Sequence, residues 1–219
     1  MKYLVITLLI LPFFLSCKKK IKRTGRIQIE AIIYHDPNGN LYNSELIQIS
    51  DLYFFNHRFV EHIPYYNDSA TLSRFTYINI DKRKIINGNS LDELQKSSDY
   101  KDIALKKHGA IFRPPQVPNY EKREDIPDTS FAGYNYKRLR IVNDSSYSVF
   151  YIHKTDTVLP FSLAPQIDKD YNGILNRIDT YDKINDRFIS LRMIVSDTIP
   201  RSVYNLLKRK KDDENTFRE

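Results

Sequence analysis

Side chains able to do chemistry are concentrated in one stretch of this chain, Asp168-Lys169-Asp170-Tyr171-Asn172-Gly173-Ile174-Leu175-Asn176-Arg177-Ile178-Asp179. Its carboxylates and amides crowd oxygen atoms around one glycine. The same residue types also build polar turns with no metal at all, because Asn and Asp side chains hydrogen-bond nearby backbone and tolerate left-handed geometry. Elsewhere the chemistry is sparse. His35, His57, His62, His108 and His153 stand at no metal-ligand spacing, and His57 and His62 would diverge around a helix. No nucleophile elbow, P-loop, dinucleotide fingerprint or zinc-protease motif is present, and the 6 glycines are too dispersed to cradle phosphate. Paired carboxylates for glycan hydrolysis are defined by their separation in space, so that chemistry stays open at this level.

The acidic stretch resembles an EF-hand calcium loop. In that resemblance Asp168, Asp170 and Asn172 take the first, third and fifth positions, Gly173 makes the sharp turn, and Ile174 offers its carbonyl. Leu175 fits the apolar eighth position, Asn176 acts through water, and Asp179 stands twelfth, where a bidentate Glu is usual. The resemblance implies Ca2+ as a cofactor. Pro160 and Pro165 argue against an entering helix and residues from Ile178 onward look like strand, so the loop is expected in a β setting. The alternative is an Asx-rich turn between strands. A second series, Asp36-x-Asn38-x-Asn40, lacks the sixth-position glycine and the final acid, and is read as a turn.

The N-terminus carries a different signature. Lys2 precedes an apolar run over residues 3–15, then Ser16 and Cys17, the build of a secretory signal. The run is shorter than the roughly 20 apolar residues a membrane span needs, and Pro12 interrupts it. Phe14-Leu15-Ser16-Cys17 resembles the lipobox of bacterial lipoproteins, which implies cleavage before Cys17 and acylation of its thiol. Phe14 stands where leucine is usual, and Lys18, Lys19 and Lys20 follow the cysteine directly. Cys17 is the 1 cysteine of the chain, so the folded part has no thiol for disulfide, nucleophile or metal. At about 0.8 kcal/mol per buried methylene, one chain anchors weakly and two or three anchor firmly.

Charge excludes one function class. The pI of 9.3 and formal charge of +7 invite a nucleic-acid reading. There are 34 Lys and Arg against 27 Asp and Glu, and Lys2, Lys18, Lys19, Lys20, Lys22, Arg23 and Arg26 account for the excess. The remainder is balanced and presents no positive field for phosphates, so nucleic acid is not expected as a partner. The expected organisation is a signal peptide over 1–16, a lipidated basic tether over 17–26, and one globular domain over 27–219.

Strand signals dominate that domain. Residues 26–34 are Ile-rich and end at the turn Asp36-Pro37-Asn38-Gly39-Asn40, with a return strand over 46–49. Residues 75–80 form another strand, with Asn87-Gly88-Asn89 as the following turn. Ser90 and Glu93 make a capping box, which opens a helix that Lys106, Lys107 and Gly109 close, with Ser97-Ser98 able to split it. Pro114, Pro115, Pro118 and Pro127 mark 112–133 as a long connection. Residues 137–142 and 147–153 make a hairpin, 158–163 a further strand, and 175–181 pair with the alternating strand around Ile189, Leu191, Met193 and Val195. A last helix starts near Pro200. The fold class is α+β, a mainly antiparallel β-sheet with one or two short helices and a C-terminal helix.

The 16 tyrosines against 0 tryptophans suit half-polar surfaces, whose rings pack while their hydroxyls reach water. The expected function is a membrane-anchored envelope lipoprotein, in the outer membrane rather than the inner, with a non-enzymatic module that binds an envelope protein or glycan. The alternative is an envelope hydrolase using Asp and Glu side chains, and a pocket with two facing carboxylates would distinguish it.

Overall fold

The computed structural model describes residues 19–36, 41–64, 74–112 and 116–216, without the side chains of 41 and 211–216. Cys17 and the segment before it, the turn residues 37–40, and Pro114 and Pro115 lie outside the described residues.

Among the described residues eleven strands form one antiparallel sheet, built from two meanders. The first comprises β2 (Thr24–Tyr34), β3 (Ser44–Phe55), β4 (Arg58–His62), β5 (Phe75–Asn79), β6 (Lys84–Gly88) and the short β7 (Lys101–Asp102), following β1 (Lys20–Ile21). The second comprises β8 (Glu124–Phe131), β9 (Tyr134–Val142), β10 (Ser146–Lys154), β12 (Gly173–Asp182) and β13 (Arg187–Ser196). A two-residue β11 (Thr157–Val158) leaves the sheet to pair in parallel with β1. The first strand of one meander and the last of the other meet at the centre, where β2 pairs with β13 from Tyr34 opposite Phe188 to Arg26 opposite Ser196. The expected mainly antiparallel α+β class is the class observed.

Alternation along the strands separates two apolar layers. Ile27, Leu52, Phe54, Phe59, Ile78 and Met193 share one face, which Phe112 and Phe161 cover by an edge-to-face series, Phe59 to Phe112 at 4.9 Å and Phe112 to Phe161 at 5.3 Å. Beside it, Ile167 of α2 (Pro165–Tyr171) packs on Leu139, Phe150, Ile152 and Leu175. Val60, Tyr77 and Ile86 point the opposite way and meet Leu94 of α1 (Leu91–Lys96) and Val203, Leu206 and Leu207 of α3 (Arg201–Thr216). A fully buried Glu61 ties the 103–112 segment to the sheet: its carboxylate accepts from Ser50 Oγ at 2.7 Å and Ala110 N–H at 2.6 Å and pairs with Lys106 Nζ at 2.5 Å. No described helix is long and apolar enough to cross a membrane.

Several local expectations are corrected. The turn after β5 lies at Ile80–Arg83, where Arg83 N–H bonds Ile80 O, and Asn87-Gly88 ends β6 instead. Ser90 does cap α1, accepting from Glu93 N–H at 3.2 Å, but the helix stops at Lys96 and Gly109 closes a loop, held close to Glu61. Residues Glu124–Phe131 of the proline-rich connection are the edge strand β8. Pro127 is tolerated there because an edge needs no donor on its open side and the pairing with β9 is bulged between Ile126 and Thr129. Of 158–163 only Val158 is strand. The basic segment is not a free tether: Lys20–Ile21 pair with β11, and Arg26 of β2 donates to Asp51 at 2.8 Å.

A cleft at the fork between two strands

β12 and β13 are paired from Asp182 opposite Arg187 to Arg177 opposite Arg192, and no further. Beyond that point β13 stays with β2, while Leu175, Ile174 and Gly173 stay with Ile152, His153 and Lys154 of β10. Two features of the sequence pull β12 that way. Asn176 is the extra residue of a bulge between Arg177 and Leu175. Gly173 lets the backbones approach, since a Cβ there would stand 2.6 Å from Ile152 Cγ2 and 2.7 Å from His153 O. The strands therefore fork, and a cavity of about 570 Å³ opens between them.

Leu159, Ile174, Met193, Ile194 and Val195 give the cleft an aliphatic surface. Tyr134, Tyr136 and His153 form an aromatic wall, Tyr134 edge-on to the imidazole at 5.0 Å and Tyr136 at 6.0 Å. The wall is set by the tight β8–β9 turn, in which Ala132 and Gly133 both have positive φ, 48 and 79°. Thr155, Thr157 and Lys22 complete the rim. The β1–β11 pair holds Lys22 in place, its N–H bonded to Val158 O at 3.0 Å and its Nζ 2.6 Å from Asp197 Oδ1. His153 Nδ1 and Asn176 Oδ1 are buried with no hydrogen-bond partner. Such atoms are uncommon in folded proteins because each carries an uncompensated desolvation cost. No carboxylate is among the described residues lining the cleft, and Lys22 is the one charged side chain there.

The six positions of the expected calcium loop do not form one loop. Asp168 and Asp170 are in α2, which Pro165 opens as a first-turn residue where the sequence argued against a helix. Asp168 Oδ1 accepts from Leu175 N–H at 2.6 Å. Burial raises the Asp168 carboxyl above the usual range, opposed by hydrogen bonds from Ser162 and Leu175 and by the Lys19 charge. Asp170 accepts from Tyr120 Oη at 2.8 Å. Asn172 is the left-handed C-cap of α2, with φ 49°. Asp179, within β12, binds Arg177 through both oxygens at 2.8 Å. Ile174 and Asn176 line the cleft instead. Among the described residues no group of three or more His, Cys, Asp or Glu could hold a metal ion.

Sequence reasoning passed over Lys22, Tyr134, Tyr136, Thr155 and Thr157 as site residues. The period-two series Tyr134-x-Tyr136 and His153-x-Thr155-x-Thr157 was the available signal, since alternate residues of a strand share a face. Glu121 and Asp125 are the acids that share a depression, an open one with Arg123 and Tyr171, and Asp125 accepts from Tyr171 Oη at 2.5 Å. No family model matches the chain, and no curated protein matches it.

Proposed function

We propose that this protein is an envelope lipoprotein, held to a membrane, the outer one in a two-membrane envelope, by lipid on Cys17, and that its domain is a non-enzymatic binding module. The observation that carries the binding reading is the cleft: about 570 Å³, aliphatic inside, polar at the rim, with two buried polar atoms lacking partners. A hydrolase working through paired acids needs two carboxylates facing a pocket, and the cleft lining supplies neither. The component bound is one that presents an apolar group, for instance an envelope protein or glycan carrying such a group.

β1 begins at Lys20, three residues after Cys17, so only about 10 Å of extended chain separates it from a lipidated thiol. The cleft, with Lys22 on its rim, would then open close to the headgroups.

The test is production of the full chain with labelled fatty acid, followed by mild extraction and native mass spectrometry. Label on the wild type and none on Cys17→Ser, together with a co-purifying species lost in Ile194→Trp, supports the proposal. An unlabelled wild type ends the anchor reading, and a ligand profile indifferent to Ile194→Trp ends the cleft reading.

A further inference from the structure

We propose that the cleft between β12 and β13 binds a single-chain anionic amphiphile, a long-chain carboxylate, with its alkyl chain along β13 and its head at Lys22. This deepens the binding-module reading and rests on it.

The shape comes first. The cleft follows β13 from Met193 to Val195, a rise of about 7 Å, with Ile174 of β12 and Leu159 also in its lining. Its aliphatic lining by Leu159, Ile174, Met193, Ile194 and Val195 suits an alkyl chain. Its size falls within the roughly 300–1,000 Å³ of ordinary small-ligand sites.

Charge sets the head. Among the described residues of the lining Lys22 is the one charged side chain, and no acid among them opposes it there. Its partner Asp197 is 91% exposed, so the pair is solvated and Lys22 is readily shared with a second anion. The rim also offers the hydroxyls of Thr155 and Thr157 as donors. A carboxylate, an acceptor with two oxygens, matches this set. Tyr134, 54% exposed, pairs an apolar ring with a polar tip at the mouth, the arrangement suited to the boundary between chain and water.

The experiment uses the full chain in phosphatidylcholine vesicles with a sixteen-carbon carboxylate bearing a photoreactive group in its chain. Matched probes carry an amine or a methyl ester head. The expected result is labelling of peptides containing Ile174 and residues 193–195, with the carboxylate favoured over the amine by about fivefold, the order set by one charge contact. Lys22→Glu should reverse that preference. Ile194→Trp, at a side chain already 47% exposed, should abolish labelling in the cleft without lowering the melting temperature. Labelling confined to other peptides, equal labelling by all three heads, or labelling indifferent to Ile194→Trp overturns the proposal. So does exclusion of the probe by the lipid of Cys17 itself, seen as labelling only in Cys17→Ser. If the probes fail while a co-purifying species is still lost in Ile194→Trp, the amphiphile is wrong and the binding module stands.

Discussion

Arg177 lies opposite Arg192 in the last pair that joins β12 to β13. Like charges facing across an antiparallel pair are unfavourable unless neutralised. Arg177 is neutralised by Asp179 through two 2.8 Å contacts and is held over the rings of Tyr151 and Phe131 at 5.0 and 5.4 Å. Ladder pairing stops at this point, and the cleft begins one residue further on.

Asp179→Asn should therefore destabilise the fold by about 2–3 kcal/mol, somewhat less than breaking a fully buried pair. Arg177 would be left without its counter-charge beside Arg192. Urea unfolding measures the loss, and the cleft probes should report weakened labelling at Ile174. A change below about 0.5 kcal/mol, the usual range for surface substitutions, would show that Asp179 does not hold the fork.

Lys106→Met should cost about 3–5 kcal/mol, because it leaves the buried Glu61 carboxylate without its ammonium partner. The double variant with Glu61→Gln should recover part of that loss, since the neutral amide keeps an oxygen for Ser50 and Ala110. Equal instability of the single and double variants would contradict a charge effect.

His62 stacks on Phe75 at 4.7 Å, and burial holds its imidazole below the usual pKa, with Asp51 opposing and Arg74 and Arg26 adding to the shift. The unfolded chain thus takes up this proton first as pH falls. The contribution is present above the unfolded value near 6.5 and is lost as pH drops from there through the folded value. His62→Phe should flatten the stability profile on the acid side of pH 6.5, measured by melting across pH.

Asp168 has the opposite sign. Its carboxyl is raised by burial, so stability from this group is present below the unfolded value of 3.8 and declines as pH rises through the folded value. Asp168→Asn keeps an oxygen for Leu175 N–H and should be neutral or stabilising at pH 7, whereas Asp168→Ala should cost about 1 kcal/mol through the lost hydrogen bond.

Calcium should not shift the melting temperature, since Asp168, Asp170 and Asp179 are each committed to other partners. A bound ion at 100 times its dissociation constant would add about 2.7 kcal/mol, a shift easily seen. Such a shift, removed by Asp170→Asn, would restore the cation reading of this stretch.

The strands, the capping box at Ser90 and Glu93 and the C-terminal helix were legible because each depends on residues close in sequence. Period-two alternation marked β13, and Pro200 marked the start of α3. β8 was hidden because Pro127 excludes a central strand and permits an edge, and which strand lies at the edge is not a local property. The stretch from Asp168 to Asp179 divides between a helix and a strand for a related reason. Oxygen donors at loop spacing describe a site only if the backbone curls around them, and here helical hydrogen bonds at Pro165–Tyr171 and the ladder from Gly173 took the backbone instead.

By itself the sequence determined the α+β class, the locations of most strands and the charge balance of the domain, since composition and short-range pattern are enough for each. The cleft was decided by tertiary structure alone. It joins Lys22, Tyr134, His153, Ile174 and Val195, far apart in the chain, and exists because β12 follows β10 while β13 follows β2. That choice turns on a bulge at Asn176 and on the Cβ absent from Gly173, local features whose consequence depends on which strands stand on either side.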